Sequence, residues 1–245
     1  MSDAVSKRKW ANTMNEVKKE LINKNEYDFS DLVTIMKLLR SPDGCPWDIE
    51  QTHRSIRKNF IEETYEACEA IDKEDDELLV EELGDVILQV VFHARIAEER
   101  GAFDISRVLT GVCSKLIHRH PHIFGDVVAN TSGQVLENWE KIKLEEKHTS
   151  HTVDDLNRVC SALPALMRCS KLIKKANGSG YEYYNVMPNS SDDKDIIARQ
   201  LMDTCRLARE KGIDPEEALS SYCDSYLERA NLKREKEKES DDENR

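Results

Sequence analysis

The stretch IRKNFIEETYEACEAIDKEDDELLVEELGDVILQVVFHARIAEER, Ile56 to Arg100, decides the fold. At about 100° per residue, Ile56, Phe60, Thr64, Ala67 and Ile71 share one face of a first helix that runs to about Asp72, the face expected to be buried. Asp75 and Asp76 open a second helix. Leu83, Val86, Ile87, Leu88, Val90, Val91, Phe92, Ile96 and Ala97 make it apolar nearly all round, and Gly101 stops it. Acids interrupt both helices. Glu63 falls inside the apolar face of the first and Glu66 at its edge one turn on, whereas Glu62 and Glu69 point toward solvent. On the second, Glu82, Asp85, Gln89 and His93 advance by threes and fours and form one polar stripe.

A short connection favours antiparallel packing, which brings four carboxylates together in a largely apolar bundle, where their mutual repulsion is severe. Three things offset such repulsion: shared protons, basic partners or a divalent metal. A set of oxygen ligands alone suits Mg²⁺ or Mn²⁺ better than zinc. A structural ion-pair network, or helices phased differently from this reading, remains the alternative.

Outward from this pair the chain stays helical. Upstream, Phe29 to Leu39 carries a helical pattern that runs into Ser41-Pro42-Asp43-Gly44-Cys45-Pro46, a loop ending at Trp47. Asp48 with Gln51, and then Ser55, offer caps, so the long helix is expected to begin between them. Downstream, Asp104 caps a helix from Ile105 to about Arg119, ended by Pro121, and Ser132 caps another from Gly133 to Lys147. His148 to Thr152 reads as a linker. Leu156 to Ala176 is again helical with Pro164 at a turn or kink, 177–193 is a turn-rich loop, and two helices follow, the last opened by Asp214-Pro215. From Arg234 the chain is almost wholly charged, a fraying helix end or a disordered tail. The expected organisation is an N-terminal helical extension over 1–27, a main helical domain over 28–148, a smaller helical unit over 156–235 and a charged tail over 236–245.

Lys115 and Arg119 lie four residues apart near the end of their helix and suit a phosphate clamp, or else two cations snorkelling at a helix C-terminus. Trp47 can stack on a base and His53 bond to it, or both serve packing and capping. His118, His120 and His122 suggest zinc, but no cysteine or fourth ligand completes a set.

Composition agrees with an all-α chain. Its 245 residues are 39% apolar and 34% charged, with 9 Gly, 6 Pro and 6% aromatics, which disfavours sandwiches and barrels. A net charge of −12 disfavours nucleic acid as a partner. Seven cysteines without CxxC spacing read as thiols in a reducing compartment, the cytoplasm. No apolar run suits a signal peptide or a membrane span, and Glu16, Glu20 and Glu26 disfavour a cleaved organelle address.

Gly44-Cys45-Pro46-Trp47-Asp48 with Gln51-Thr52-His53, then Glu62-Glu63-Thr64-Tyr65-Glu66, then Glu81-Glu82-Leu83-Gly84-Asp85 resemble the MazG-type nucleoside triphosphate pyrophosphohydrolases, whose signature is EExxE followed by ExxD. Arg119-His120-Pro121-His122 and Glu137-Asn138-Trp139-Glu140 extend the likeness over about 28–147. The resemblance implies an all-α bundle completed by dimerisation or higher homo-oligomerisation. It also implies Mg²⁺-dependent cleavage of a nucleoside triphosphate between its α and β phosphates. Glu63, Glu66, Glu82 and Asp85 would be metal ligands and position water for in-line attack, and Lys115 and Arg119 would take the charge building on pyrophosphate. A narrower pyrimidine deoxynucleotide pyrophosphatase and a noncatalytic nucleotide-sensing dimer are the competing readings. Leu163-Pro164-Ala165-Leu166 and Leu207 to Leu219 resemble the second unit of tandem members. There the acidic signature is missing, Ile196-Ile197-Ala198-Arg199 standing in place of ExxD, so 156–235 is read as a degenerate repeat without metal.

Overall fold

The computed structural model describes residues 15–146, 156–179 and 192–243, and every regular element among them is helical. In chain order these are α1 (15–22), α2 (Phe29–Leu39), α3 (Pro46–Glu50), α4 (Arg57–Asp72), α5 (Asp76–Glu99), α6 (Ile105–Arg119), α7 (Pro121–Phe124), α8 (Ser132–Glu146), α9 (Ala165–Ser179), α10 (Asp193–Glu210) and α11 (Pro215–Glu243). The first fourteen residues of the expected N-terminal extension, with Trp10 and Met14, lie outside the described residues, as does most of the 177–193 loop. The chain divides into two compact units between Thr131 and Ser132. Helix α8 thus groups with the second unit, whereas the sequence reading attaches it to 28–148.

In the first unit α2 starts where Asp28 caps Ser30 and Asp31, and the Asp31 side chain accepts from the Asp28 N–H in return. Lys24 lies 2.6 Å from Asp31 and ties the end of α1 to this corner. Asp75 and Asp104 cap α5 and α6 through Leu78 N–H and Arg107 N–H, and Gly101 takes the left-handed φ of 67° that ends α5. The core is Met36 of α2, Ile56 just before α4, and Val91, Phe92 and Ile96 of α5, with Leu32, Leu88 and Ile105 packed around it. It lies toward the C-terminal end of α5 and leaves the N-terminal half of that helix for other work.

Between α2 and α4 the structure departs from the sequence expectation. No long helix begins at Asp48. Pro46 occupies the first turn of the short α3, and Asp48 lies inside it. Thr52 and Ser55 then make a reciprocal turn, Ser55 Oγ accepting from Thr52 N–H and Thr52 Oγ1 from Ser55 N–H, and α4 starts only at Arg57 with no side-chain cap. The preceding loop folds back on α2: Gly44 N–H donates to Ser41 O and Cys45 N–H to Leu39 O, each at 2.8 Å. A Cβ at Gly44 would run into the carbonyl oxygens of Leu38 and Leu39, backbone atoms that have no room to give. Gly44→Ala is therefore expected to cost about 2 kcal/mol or more. That lowers Tm by roughly 5 °C in thermal unfolding, and an unchanged Tm would mean the loop is not held as described.

In the second unit the structure again corrects the reading. Leu156 and Asn157 are helical, but turns and bends interrupt the expected single helix over 158–163 and the next helix begins at Ala165, so Pro164 sits at the turn that precedes it. Val159, Ile173 and Cys205 are buried there. Met167 N–H donates to Glu216, and Asp214 caps α11 through Glu216 N–H and Glu217 N–H. The backbone of α11 stays helical to Glu243, beyond the point where the charge run suggested an end.

Candidate active site

Helices α4 and α5 form an antiparallel hairpin. Its corner is tight: Asp75 N–H donates to Ala70 O, Glu74 adopts φ 53°, and Asp75 caps the returning helix. Burial along α4 falls at Ile56, Ala67 and Ala70, with Asn59 and Glu63 half-buried, while Phe60, Thr64 and Ile71 are exposed. The buried face is thus turned slightly from the expected one, and Glu63 sits in its middle. Across the seam Glu82, Asp85 and His93 are half-buried and Gln89 is buried, its Oε1 without a hydrogen-bond partner. The polar stripe of α5 therefore faces α4.

Glu63, Glu66 and Glu82 each offer an oxygen, all within 4.8 Å of one another, the one group of three or more ligand-type side chains so placed among the described residues. Burial, then the charge of Asp85, then its hydrogen bond to Glu66 and the charges of Glu66 and Glu82 push the Glu63 carboxyl above its ordinary range. Burial first, then Glu66, Glu81, Asp85 and Glu69, raise Glu82 in the same direction. Asp85 lies outside the trio but close enough to act on Glu63 through its charge. Glu62 is exposed, in keeping with its phase. The interior is less dry than expected, since Glu66 is exposed.

These oxygens fit a hard divalent cation: acceptors only, from two rigid helices, with burial and repulsion that already oppose ionisation of Glu63 and Glu82. Of the expected substrate ligands, Lys115 is exposed and Arg119 half-buried on α6, which packs on α5. Trp47 is exposed on α3. His53 meets α5: its Nδ1 lies 2.8 Å from His93 Nδ1 and its Nε2 3.1 Å from the Arg100 guanidinium. His120 bonds to Leu116 O and its ring tilts against His122.

Arg40 is a residue the sequence reading missed. Its guanidinium, almost wholly buried, donates to the Asp48 and Gln51 carbonyls, pairs with both oxygens of Glu99 and lies over the Phe92 ring. It thereby pins the segment carrying Trp47 and His53 to the end of α5, and its hydrogen bonds to Glu99 hold that carboxyl below the ordinary range. An arginine just after a helix has no pattern that announces such a role.

Comparison with known proteins agrees with this geometry. Residues 51–124, which span both acidic motifs, match the family model described as the MazG nucleotide pyrophosphohydrolase domain. The chain is 38% identical over 219 residues to the nucleoside triphosphate pyrophosphohydrolase/pyrophosphatase MazG of Thermotoga maritima, covering 82% of this chain and 83% of that protein. The nucleoside triphosphate pyrophosphohydrolase of Escherichia coli K12 is likewise 38% identical over 219 residues, 84% of this chain and 83% of its own. YabN of Bacillus subtilis, an uncharacterized protein, is 49% identical over 148 residues, a match that takes in 60% of this chain and 30% of YabN. Identity at this level across more than four-fifths of two relatives, centred on a hairpin whose acids meet, makes the chain a member of the MazG family.

Proposed function

We propose that the protein is a Mg²⁺-dependent nucleoside triphosphate pyrophosphohydrolase that converts a nucleoside triphosphate and water into the monophosphate and pyrophosphate. The observation that carries this reading is the meeting of Glu63, Glu66 and Glu82 within 4.8 Å on the α4–α5 hairpin. Together with Asp85 they would hold the cation. When bound, it neutralises the phosphate chain and lowers the pKa of water at the site. The chain's own part is positional. The carboxylates orient a water for in-line attack on the α-phosphorus, a new P–O bond forms there, and the α–β bridging bond breaks with its electron pair leaving on pyrophosphate. Lys115 and Arg119 take up the charge that builds on the leaving group, and Trp47 and His53 contact the nucleoside.

Ile61, Tyr65, Leu83 and Ile87 on the hairpin, and Leu109 and Leu116 on α6, are large apolar side chains exposed in the single chain. They support a homodimer or larger homo-oligomer closed through these helices. Residues 156–235 are read as a degenerate second unit with a packing role. No helix among the described residues is long and apolar enough to cross a membrane. All seven cysteines are free, which supports a reducing, cytoplasmic setting.

The test is the purified full chain with the eight common ribo- and deoxyribonucleoside triphosphates and Mg²⁺, with products identified. Pyrophosphate and monophosphate are expected. Orthophosphate release, or no turnover on any of the eight, would contradict the proposal.

A further inference from the structure

Beside the acidic seam, toward the core end of the hairpin, lies a cleft of about 450 Å³ lined by His53, Arg57, Phe60, His93, Phe103 and Val108. Its size and apolar walls suit a small planar ligand. It shares its scaffold with the carboxylates: His93 stands two turns beyond Asp85 on the same stripe, about 12 Å along α5, and Phe60 one turn before Glu63 on α4, about 4.5 Å. The cleft is thus within a nucleotide's reach of the acids.

The polar chemistry of the cleft follows from two hydrogen bonds. The Arg100 guanidinium can only donate, so His53 Nε2, 3.1 Å away, must accept and carries no proton. Neutral His53 then bears its proton on Nδ1 and donates it across 2.8 Å to His93 Nδ1. His93 is thereby left with its proton on Nε2, its one remaining polar atom. The two ring planes lie within 10° of each other with centroids 5.1 Å apart, edge to edge as the Nδ1–Nδ1 bond requires, and Phe60 tilts against His93 at 5.6 Å. Burial, then Arg100 and Arg40, hold His53 below the ordinary histidine range. Burial and then His53 do the same for His93, so both stay neutral and the chain of bonds keeps one direction. The other polar side chain at the wall is Arg57, exposed and again a donor. Gln89, whose carbonyl accepts, is buried and does not line the cleft. Its free polar side-chain groups are thus all donors.

We propose that this cleft receives the nucleobase, and that the Arg100–His53–His93 chain, by fixing His93 as a donor, makes it select carbonyl-bearing bases over amino-bearing ones. The favoured ligands are 6-oxopurine and 4-oxopyrimidine nucleotides. An exocyclic amino group set against a donor leaves both unpaired, the kind of mismatch a polar site rejects most strongly. His93 and Arg57 hydrogen-bond the base, Phe60 and the His53 ring line its pocket, and Arg100, acting through His53, is a positioning residue. This assignment rests on the proposed nucleotide chemistry of the site, and it is tested without turnover.

The experiment is isothermal titration calorimetry of the full chain with Mg²⁺ and four monophosphates, GMP against AMP and UMP against CMP. Wild type is expected to bind the oxo member of each pair about tenfold more tightly. In His93→Leu the ratio falls to about one. His93→Gln, whose amide presents either a donor or an acceptor, keeps affinity and loses the preference. Arg100→Gln loses the preference as well and Arg100→Lys, which can still donate to His53, restores it, a pattern that mere loss of packing would not give. Equal affinities in wild type, no monophosphate binding because a second copy of the chain fills the cleft, or a ratio unchanged in His93→Gln would each overturn the proposal. Oxo-selective binding without pyrophosphate release from the triphosphates would leave it standing and overturn the catalytic reading instead.

Discussion

Glu82→Gln is expected to lower kcat for pyrophosphate release by about a hundredfold or more, with the helical circular dichroism unchanged. The substitution keeps the shape of the side chain and removes a charge from a trio whose oxygens lie within 4.8 Å of one another. Loss of one charged ligand in an all-oxygen site weakens both cation affinity and the field at the phosphates, and even outer-sphere changes at metal sites cost 10- to 100-fold. Glu63→Gln should behave alike. A noncatalytic sensor or scaffold predicts the reverse: both variants would differ from wild type in stability alone. Full pyrophosphate release in both would remove the catalytic assignment.

The second large effect is on stability, and its sign is unusual. Glu63 ionises less readily in the folded chain than in the unfolded one, because burial and the neighbouring acids oppose its charge. The folded state then binds more protons than the unfolded state between the two pKa values, so metal-free stability contributed by this group falls as pH rises through that window and stays low above it. Glu63→Gln removes the penalty. Without divalent cation, Tm of the variant should exceed that of wild type at pH 7.5 by about 2 °C or more, with the difference vanishing at pH 4. Glu99 and Asp31, held below the ordinary range mainly by Arg40 and by Lys24, impose the opposite slope. They are common to both proteins and cancel in the comparison. Adding millimolar Mg²⁺ should reverse the order, because an ion bound to the native state alone stabilises wild type in proportion to its occupancy. A variant less stable than wild type at every pH without metal would show that these acids are not in conflict.

Much of this is legible in the sequence, and the reasons are local. Asp75, Asp104 and Gly101 act within one turn of their own position, and their side chains or φ angles do what their types favour. The stripe Glu82, Asp85, Gln89, His93 was readable because α5 is otherwise apolar, so a single polar row has one orientation to take. Helix α4 was harder. Its apolar residues are sparse, and the face chosen from Phe60, Thr64 and Ile71 differs from the buried one through Ala67 and Ala70, because α5 brings its own acids to the seam and only small residues let the helices approach. The start of α4 was misplaced since Asp48 and Gln51 mimic a capping box, while Pro46 had already begun a separate turn. Arg40 and the Arg100–His53–His93 chain depend on residues 40 to 59 positions apart meeting at the end of α5, and no periodicity encodes that.

Titration of Mn²⁺ into wild type, Glu63→Gln and Glu82→Gln, followed by electron paramagnetic resonance of the free ion, addresses the acidic hairpin itself, independently of substrate. Wild type should deplete free Mn²⁺ saturably and give it up to excess Mg²⁺, and each variant should bind at least tenfold more weakly. Indistinguishable titrations for all three proteins would contradict a cation held by Glu63, Glu66 and Glu82.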